Sequence, residues 1–412
     1  MSADRPGGDH SPRNRAERER DRLALVPRFH GQGYEDTEIA ARRAWLEQVA
    51  GCELPTVGAS AIPGPAMRGN VENPIGAAQV PLGVAGPLLV RGEHAQGTFY
   101  VPLATTEGAL VRSYERGMVA VTRAGGAEAR VLQDENRATP VFSFDSLAEA
   151  TDFARAVPAL EAELRRVAEA TTRHGKLLRV EPRVVGRDVL VSFAFSTGDA
   201  SGMNLVGRAT DAACQLLLAR FTPRHWLLMS GAEGEKRAAA SLLAGGKGKS
   251  VVASVRLPEA LVRSVLGVEV SALAALWHRT VVAHLESGAV GHNGHYANGL
   301  AAIYIACGQD VANIVNAAVG VSTLEAEADG SLCASVHLPS LTVATVGGGT
   351  RVGTAPECLR LLGCEGDGKA VKLAEIIAAT LLAGELSFSA ALAAGHHAAA
   401  HERYGRNRPT EP

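Results

Sequence analysis

The sequence predicts an α+β protein of more than one domain, on three observations. The chain has 412 residues, longer than most single domains and long enough to bury a sizeable core. Glycine-rich loops alternate with helices of small residues over most of its length, in keeping with 45 glycines and only 4% aromatic residues. Between 143 and 229 this pattern gives way to amphipathic helical segments and two β-rich runs, which predict a compact α+β insertion with an antiparallel sheet.

The N-terminal elements are predicted as follows. Residues 1–30 are predicted to form a disordered leader. The start, MSADRPGGDHSPRNRAERERDR, is charged, contains Gly and Pro and has no apolar h-region, so we predict no signal peptide. A helix is predicted at 34–49. A stretch rich in Gly and Pro follows at 58–89, then a strand near 97–103 and a helix in the later part of ATTEGALVRSYERGMVAV.

The insertion is predicted to begin with a helical region, FDSLAEATDFARAVPALEAELRRVAEA, with Asp145 as its N-cap. Two strands are predicted in KLLRVEPRVVGRDVLVSFAFS, a helix in SGMNLVGRATDAACQLLLARF and a short strand in HWLLMS. Beyond the insertion, long helices of small residues are predicted at 297–319 and from Lys369 onward.

Composition and charge exclude several classes of protein. The net charge of −2 argues against a nucleic-acid-binding protein, which normally carries a basic surplus. No apolar run approaches the roughly 20 residues that span a bilayer. The six cysteines form no CxxC pair, which is typical of reduced thiols in a cytosol. We therefore expect a soluble cytoplasmic protein that binds neither nucleic acid nor membrane.

Three glycine-rich segments could approach a ligand. GGKGKSVV resembles a phosphate-binding loop, but Leu243 stands where the first glycine of that motif is required. ATVGGGT follows a strand-like run, and its glycines fit either a tight turn or a close approach to a ligand. DASGMN places Asp199 and Ser201 before a helix whose free N–H groups could face a phosphate; a simple helix cap explains it equally well.

Three titratable residues lie in apolar sequence surroundings: Glu107 in LATTEGAL, Asp310 in AIYIACGQD and Lys236 ahead of a small-residue segment. A buried carboxyl such as Glu107 can remain protonated and act as a general acid. A structural salt bridge would explain each residue alone. Together, an acid, a lysine and an aspartate in such settings indicate a functional site.

The stretch AALAAGHHAAAHERYGRNR carries three histidines in an alanine-rich helix. His397 and His401 share a helical face and could form a metal pair. The glutamate and third ligand of an HExxH site are missing, so we predict no metal.

These segments are not independent. ENPIGAAQVPLGVAGPL, ATTEGALVRS, GDASGMN, GKGKSVV, AIYIACGQD, TVGGGT and LAAGHHAAAH occur in an order and spacing that resemble those of the 3-hydroxy-3-methylglutaryl-coenzyme A (HMG-CoA) reductases. The resemblance runs from about Glu72 to His401. It implies a homodimer or a dimer of dimers, with active sites between subunits, and a large α/β domain that carries an inserted ferredoxin-like cofactor domain. The implied boundaries are 1–30 for the leader, 31–60 for a small helical part, 61–142 and 230–400 for the large domain, 143–229 for the cofactor domain and 401–412 for a C-terminal flap.

The resemblance also implies the chemistry, which is the NADPH-dependent reduction of HMG-CoA to mevalonate for isoprenoid biosynthesis. Glu107, Lys236, Asp310 and His401 match the catalytic positions of the family. Each hydride places negative charge on the carbonyl oxygen, which a lysine ammonium stabilises. Glu107 would supply a proton, Asp310 would tune both partners, and a His401 imidazolium would protonate the departing thiolate. His396 matches a family histidine, and His397 is incidental.

Further positions are assigned by the same resemblance. Arg173, in TTRHGKLL, would hold the 2′-phosphate of NADPH, as in the branch shared by eukaryotes, archaea and some bacteria. The other cofactor-binding positions are Asp199, Ser201, Gly202, Met203, Asn204, Gly347, Gly348 and Gly349. The substrate-binding positions are Glu72, Asn73, Glu235, Arg237, His278, His295 and Asn298.

The departures from the family lie where it presents cations to the substrate carboxylate. Ser143 replaces an arginine and His278 replaces a lysine. A buried carboxylate without charged partners would cost several kcal/mol. Either Arg237, His278 and Arg279 rebuild the pocket, or the enzyme reduces another acyl thioester. A non-catalytic nucleotide-binding paralogue is a further alternative, but it would be expected to have lost one of the four catalytic residues.

Overall fold

The computed structural model describes residues 25–29 and 33–395. Most of the predicted leader and the predicted flap lie outside the described residues. So do His396, His397 and the predicted catalytic His401.

The described residues up to Gln79 form a compact unit of their own. Helix α1, Asp36–Ala50, confirms the helix predicted at 34–49; Glu35 and Glu38 cap its start. Single helical turns follow at Pro55–Gly58 and Gly64–Met67. The buried Arg42 guanidinium organises this unit because it donates hydrogen bonds to three backbone carbonyls, those of Pro27, Gly33 and Pro74.

The chain from Val80 forms the second unit, in which helices pack on one mixed sheet, and its α+β class confirms the prediction. Its strands are β1 Leu82–Gly92, β2 Gln96–Ala104, β3 Ala127–Ala138, β4 Val141–Ser143, β5 Lys176–Val185, β6 Asp188–Ser196, β7 His225–Leu227, β8 Lys247–Leu257, β9 Val321–Ala326 and β10 Leu332–Leu341. Its longer helices are α2 Leu110–Arg123, α3 Leu147–Ala156, α4 Glu161–Glu169, α5 Met203–Leu218, α6 Val270–Ser287, α7 Tyr296–Ala306, α8 Ala355–Leu361 and α9 Ala370–Ala393.

The sheet runs in the order β7-β4-β6-β3-β8-β10-β9, with β1 beside β2 and β3, and β5 beside β6. All of these pairs are antiparallel except β1 with β3. Strand β3 is shared, because its first part pairs with β8 and its last three residues pair with β6. It therefore runs continuously from the larger core into the insertion.

Helix α9 lies at the centre of the larger core. It packs so closely on α2 that a Cβ on Gly117 would collide with the Ala383 carbonyl. By length and hydropathy α9 could cross a membrane, contrary to the prediction that no run approaches this length. Most of it is buried by the rest of the chain, however, and it contains Glu375 and Glu385, as the core helix of a soluble protein can.

The insertion has a hydrophobic core of its own, drawn from β4 to β6 and α3 to α5. Aromatic rings pack at its centre, with Phe153 at 5.0 Å from Phe142, Phe144 and Phe221. The two predicted β-rich runs are strands β5 and β6. The predicted N-cap Asp145 is wrong by one residue: the Ser146 hydroxyl accepts the Glu149 N–H at the start of α3.

The long helix predicted at 297–319 is broken. Helix α7 ends at Ala306, and Gly308 then adopts a left-handed φ of 63° against the Gly349 carbonyl, with no room for a Cβ. Asp310 therefore does not lie inside a helix. Its carboxylate accepts the Ala312 N–H and caps the turn that follows.

Candidate active site

The Lys236 ammonium and the Asp310 carboxylate form an ion pair, with 2.8 Å between Nζ and Oδ2. Each side chain is nearly half exposed, at 45% and 47%, so the predicted apolar surroundings are wrong for both. The hydrogen bond to Asp310 raises the pKa of Lys236 above its ordinary value, against a smaller effect of burial. Lys236 thus presents a protonated ammonium in an open cleft of about 510 Å³, which Glu235 and Arg237 also line.

The backbone of Lys236 is unusual as well, since its φ of 53° lies in the left-handed region, which costs a non-glycine residue on the order of 1–3 kcal/mol. Its N–H donates to Asn316 Oδ1 at 3.3 Å. The fully buried Asn316 amide in turn donates to the Ser340 carbonyl and the Thr342 hydroxyl, both at 3.1 Å. Asp310 and Asn316 therefore hold Lys236 at its tip and at its backbone.

Lys247, at the start of β8, connects this loop to the predicted cofactor segment. It is fully buried, its ammonium pairs with the Glu235 carboxylate, and it contacts Met203 Sδ. Burial lowers the pKa of Lys247, and the charge of Glu235 opposes that effect. The GKGKS motif thus forms a strand under the site rather than a phosphate loop.

The predicted cofactor segments DASGMN and TVGGGT lie side by side. The Asp199 carbonyl accepts the Thr345 N–H at 2.9 Å, and its carboxylate accepts the N–H groups of Gly368 and Ala370, at 2.6 and 2.9 Å, at the start of α9. Such a cap contributes about 1 kcal/mol. Asp199 thus has a structural function, the alternative raised for it from sequence, although its cap belongs to α9 and not to the helix that follows it.

Two glycines of the second segment leave open space, whereas a Cβ on Gly202 would collide with Thr197 and one on Gly349 with the Gly308 carbonyl. Gly202, Gly347 and Gly348 have φ of 72°, 76° and 52°, and a Cβ on Gly347 or Gly348 would meet no atom within 4 Å. Ser201 precedes the N-cap Gly202 of α5, and its carbonyl accepts the Asn136 amide at 3.0 Å. Met203 and Asn204 form the first turn of α5. A flat or anionic ligand could therefore lie against this backbone.

Arg173 lies in the loop between α4 and β5, where the Thr172 hydroxyl accepts the N–H groups of His174 and Gly175. Its side chain is exposed and has no carboxylate partner within the described part of the chain. A guanidinium in this state is available to a phosphate.

Glu107, in the loop between β2 and α2, accepts a hydrogen bond of 2.7 Å from Asn298 Nδ2 in the first turn of α7. The predicted burial of Glu107 is wrong, because the residue is exposed. The structure thus joins a predicted catalytic residue to a predicted substrate-binding residue.

One turn before Asn298, His295 precedes α7 and contacts Glu385 of α9. Glu385 accepts the His295 Nδ1–H at 3.1 Å and the N–H groups of Gly294 and His295 at 2.7 and 2.8 Å. Burial raises the pKa of Glu385, but the hydrogen bonds and the His295 ring outweigh burial, so the net pKa is lowered.

The two groups of site residues lie at opposite ends of α7. Asn298 is in its first turn, and about 12 Å of helix axis separates that turn from Ala306 at the other end. The Gln309 N–H donates to the Tyr304 carbonyl, which keeps the following Asp310 at that far end. Within one chain, the Glu107–Asn298 pair is therefore remote from the Lys236–Asp310 pair.

A family model described as hydroxymethylglutaryl-coenzyme A reductase matches residues 38–406, most of the chain. The chain belongs to this family.

Named relatives confirm the resemblance. The HMG-CoA reductase of Methanothermobacter thermautotrophicus is 45% identical over 90% of this chain and 94% of its own, and that of Methanocaldococcus jannaschii is 44% identical over 90% and 93%. A solved class II HMG-CoA reductase from Streptococcus pneumoniae, bound to NADPH, covers 93% of this chain and 97% of its own with a TM-score of 0.65. At 20% identity, that structure supports the fold alone.

The remaining positions assigned from the HMG-CoA reductases are less closely grouped. Glu72 and Asn73 are exposed in the first unit. Arg237 lies next to the catalytic lysine candidate and donates to the Glu235 carbonyl. His278 is exposed on α6, in edge contact with Trp277. No contact among the described residues joins His278 to Arg237.

Sequence reasoning missed three buried polar residues that support this site, namely Asn316, Lys247 and Glu385. Each acts across a long sequence separation, so no local motif marks it. A polar residue inside an apolar run, as Glu385 is in LLAGELSF, is the pattern that could have drawn attention.

Proposed function

We propose that this chain reduces HMG-CoA to mevalonate and free coenzyme A, using NADPH for two successive hydride transfers. The observation that carries the proposal is the Lys236–Asp310 ion pair beside the glycine-rich loops. The protonated Lys236 stabilises the negative charge that each transfer places on the carbonyl oxygen. Asp310 keeps the ammonium charged and oriented.

Glu107 provides the proton that this oxygen takes up. Asn298 fixes one of its carboxyl oxygens at 2.7 Å, and the exposure of Glu107 leaves the group accessible to substrate. The thioester thus becomes a hemithioacetal, then an aldehyde as the thiolate leaves, then an alcohol. His401, by resemblance, protonates the thiolate.

The residues around the glycine-rich loops fit NADPH. Bound NADPH supplies the hydride. Gly347 and Gly348 provide open positions, and the start of α5 provides backbone N–H groups, for its diphosphate and nicotinamide. Arg173, which has no carboxylate partner in the described part of the chain, provides the cation for the 2′-phosphate of NADPH.

Replacing Arg173 with alanine should raise the KM for NADPH by about tenfold or more and leave the KM for NADH nearly unchanged, because only NADPH carries the 2′-phosphate. Steady-state kinetics with both cofactors measure this difference. Arg166→Ala, which removes an exposed arginine from α4 of the same insertion, is the control and should alter neither KM. An unchanged preference in Arg173→Ala would refute the assignment.

We further infer that two copies of the chain combine to complete each site. The two groups of catalytic residues are separated by the length of α7 within one chain, whereas the chemistry needs them around one carbonyl. Ile305, Val311 and Val315 are apolar yet 38–46% exposed beside Asp310, as expected of a surface that a second copy covers.

The acyl group is the part of the proposal that requires a direct assay. Ser143, where the family has an arginine, donates a 2.6 Å hydrogen bond to Asp188 and offers no positive charge. Arg237, His278 and Arg279 are therefore the cations left for the HMG carboxylate. We expect NADPH oxidation with HMG-CoA to release free thiol and mevalonate. Turnover of acetyl-CoA or acetoacetyl-CoA without turnover of HMG-CoA would instead indicate an enzyme for another acyl thioester.

We also propose a cytoplasmic location, on the state of the cysteines. All six cysteines are free thiols, four of them buried, as suits a reducing compartment.

A further inference from the structure

Glu385 is a buried carboxylate that the reaction scheme above does not use. It lies on α9 with 3% of its surface exposed and accepts hydrogen bonds from Gly294, His295 and the Ser322 hydroxyl, the last at 2.8 Å. Among the described residues its only ion-pair partner is His295. Burying a carboxylate costs desolvation free energy, which indicates that Glu385 positions the groups it contacts.

Glu385 holds the His295 ring. The ring lies between two aromatic side chains, stacked on Tyr114 at 5.4 Å and on Phe388 at 4.7 Å. Its Nδ1–H points to Glu385, so the rotation of the ring is fixed. Its Nε2 is buried and has no hydrogen-bond partner among residues 25–29 and 33–395. Since native proteins rarely leave such an atom unpaired, a ligand is the expected partner.

The ring also lies near the proton donor. Asn298, one turn further on, holds Glu107, and the charges of Glu385 and Glu107 both add to the effect of burial that raises the pKa of Tyr114, the residue beneath the ring. His295, Tyr114 and Glu107 therefore belong to one group of side chains.

We propose that Glu385 is a positioning residue that holds His295 so that its Nε2–H donates a hydrogen bond to the thioester sulfur of the substrate. The inference rests on the proposed thioester reduction and adds a group for the sulfur. An imidazolium ring donates from both nitrogens, so with Nδ1–H given to Glu385 it has Nε2–H left for the sulfur. Lys236 serves the oxygen, and His401 is assigned to protonate the thiolate once it has left. His295 Nε2, which has no hydrogen-bond partner among the described residues, is assigned to the sulfur while the carbon–sulfur bond breaks.

The step at which this bond acts is the collapse of the hemithioacetal. The carbon–sulfur bond breaks and its electron pair stays on sulfur as a thiolate. The carbon–oxygen double bond forms as the hydroxyl returns its proton to the Glu107 carboxylate, which supplied it in the preceding step. The Nε2–H stabilises the negative sulfur without itself being consumed. The second reduction, from aldehyde to alcohol, involves no sulfur.

The test compares two substrates, HMG-CoA and the free aldehyde intermediate. In Glu385→Gln and in His295→Gln, kcat for HMG-CoA should fall by about tenfold or more, while kcat for the aldehyde stays within about twofold of wild type. Aldehyde reduction in the same sample shows that the variant is folded and binds NADPH. His295→Gln also leaves Glu385 with its backbone hydrogen bonds.

Glu375→Gln is the matched control. Glu375 lies on the same helix, is fully buried, and accepts the N–H groups of Glu93, His94 and Ala95 at 3.1, 2.9 and 2.6 Å. It touches no residue of the site, so this variant should have a lower Tm with an unchanged ratio of the two activities.

An equal loss on thioester and aldehyde in the Glu385 and His295 variants, or the same change of ratio in Glu375→Gln, would overturn the positioning function and leave the proposed reaction standing. A wild-type protein that reduces neither substrate would overturn both.

Discussion

Replacement of Lys236 by alanine is expected to abolish reduction of both HMG-CoA and the free aldehyde. Each hydride transfer creates an oxyanion, and loss of a preorganised donor to such a charge typically lowers kcat by about 10²- to 10³-fold. The raised pKa of Lys236 means that its ammonium is already charged at neutral pH, so the whole stabilisation is lost in the variant. NADPH oxidation with each substrate measures the effect.

Lys176→Ala is the control for this variant. Lys176 also pairs with a carboxylate, that of Glu169 at 3.0 Å, but on the exposed surface of the insertion. Its removal should leave both activities intact, since surface pairs contribute about 0–1 kcal/mol. Retention of aldehyde reduction by Lys236→Ala would contradict the assignment of Lys236 as the oxyanion partner.

Mixing two inactive variants is expected to restore activity. In the proposed dimer, Glu107→Gln and Lys236→Ala each disable every site when present in both copies. If Glu107 of one copy works with Lys236 of the other, a mixed dimer holds one intact site, and random exchange in equal amounts gives about a quarter of wild-type activity. The measurement is NADPH oxidation with HMG-CoA after exchange or co-expression.

The double variant, with both substitutions in one chain, provides the control. Mixed in equal amounts with wild type, it should leave about a quarter of the activity if sites form between copies and about half if each chain holds its own site. A failure of the two single variants to complement, with subunit exchange verified, would place the whole site in one chain.

Local pattern was sufficient to predict most elements of the insertion. Strands β5 and β6 follow from runs rich in β-branched and other apolar residues on either side of a Gly-Arg-Asp turn, and α3 needed only a shift of its cap from Asp145 to Ser146. The break after Ala306 was missed because the apolar run resumes at Val311, directly after Gly308, Gln309 and Asp310, so the pattern reads as one helix. What ends the helix there is the close approach of a loop about 40 positions further along the chain.

The candidate site shows the same limit. The motifs located Lys236, Asp310 and Glu107, but neighbouring residue types gave the wrong environment for all three, since exposure depends on how distant segments pack. The contacts that orient the site join positions as far apart as His295 and Glu385 or Lys236 and Asn316. A single sequence does not encode such pairs in any local period.

The shared strand β3 bears on how this enzyme could change its cofactor. The insertion buries its own aromatic core, so the residues proposed to choose between NADPH and NADH, such as Arg173, can vary with little disturbance to acyl chemistry. Yet β3 contributes to both cores without a break, and the Asp199 carboxylate accepts a hydrogen bond from the Ala370 N–H in the first turn of α9. An exchange of the insertion between family members must therefore preserve two connections, strand β3 and the Asp199 cap of α9. A chimera that shifts either connection would bind NADPH in the wrong position for hydride transfer, whatever its affinity.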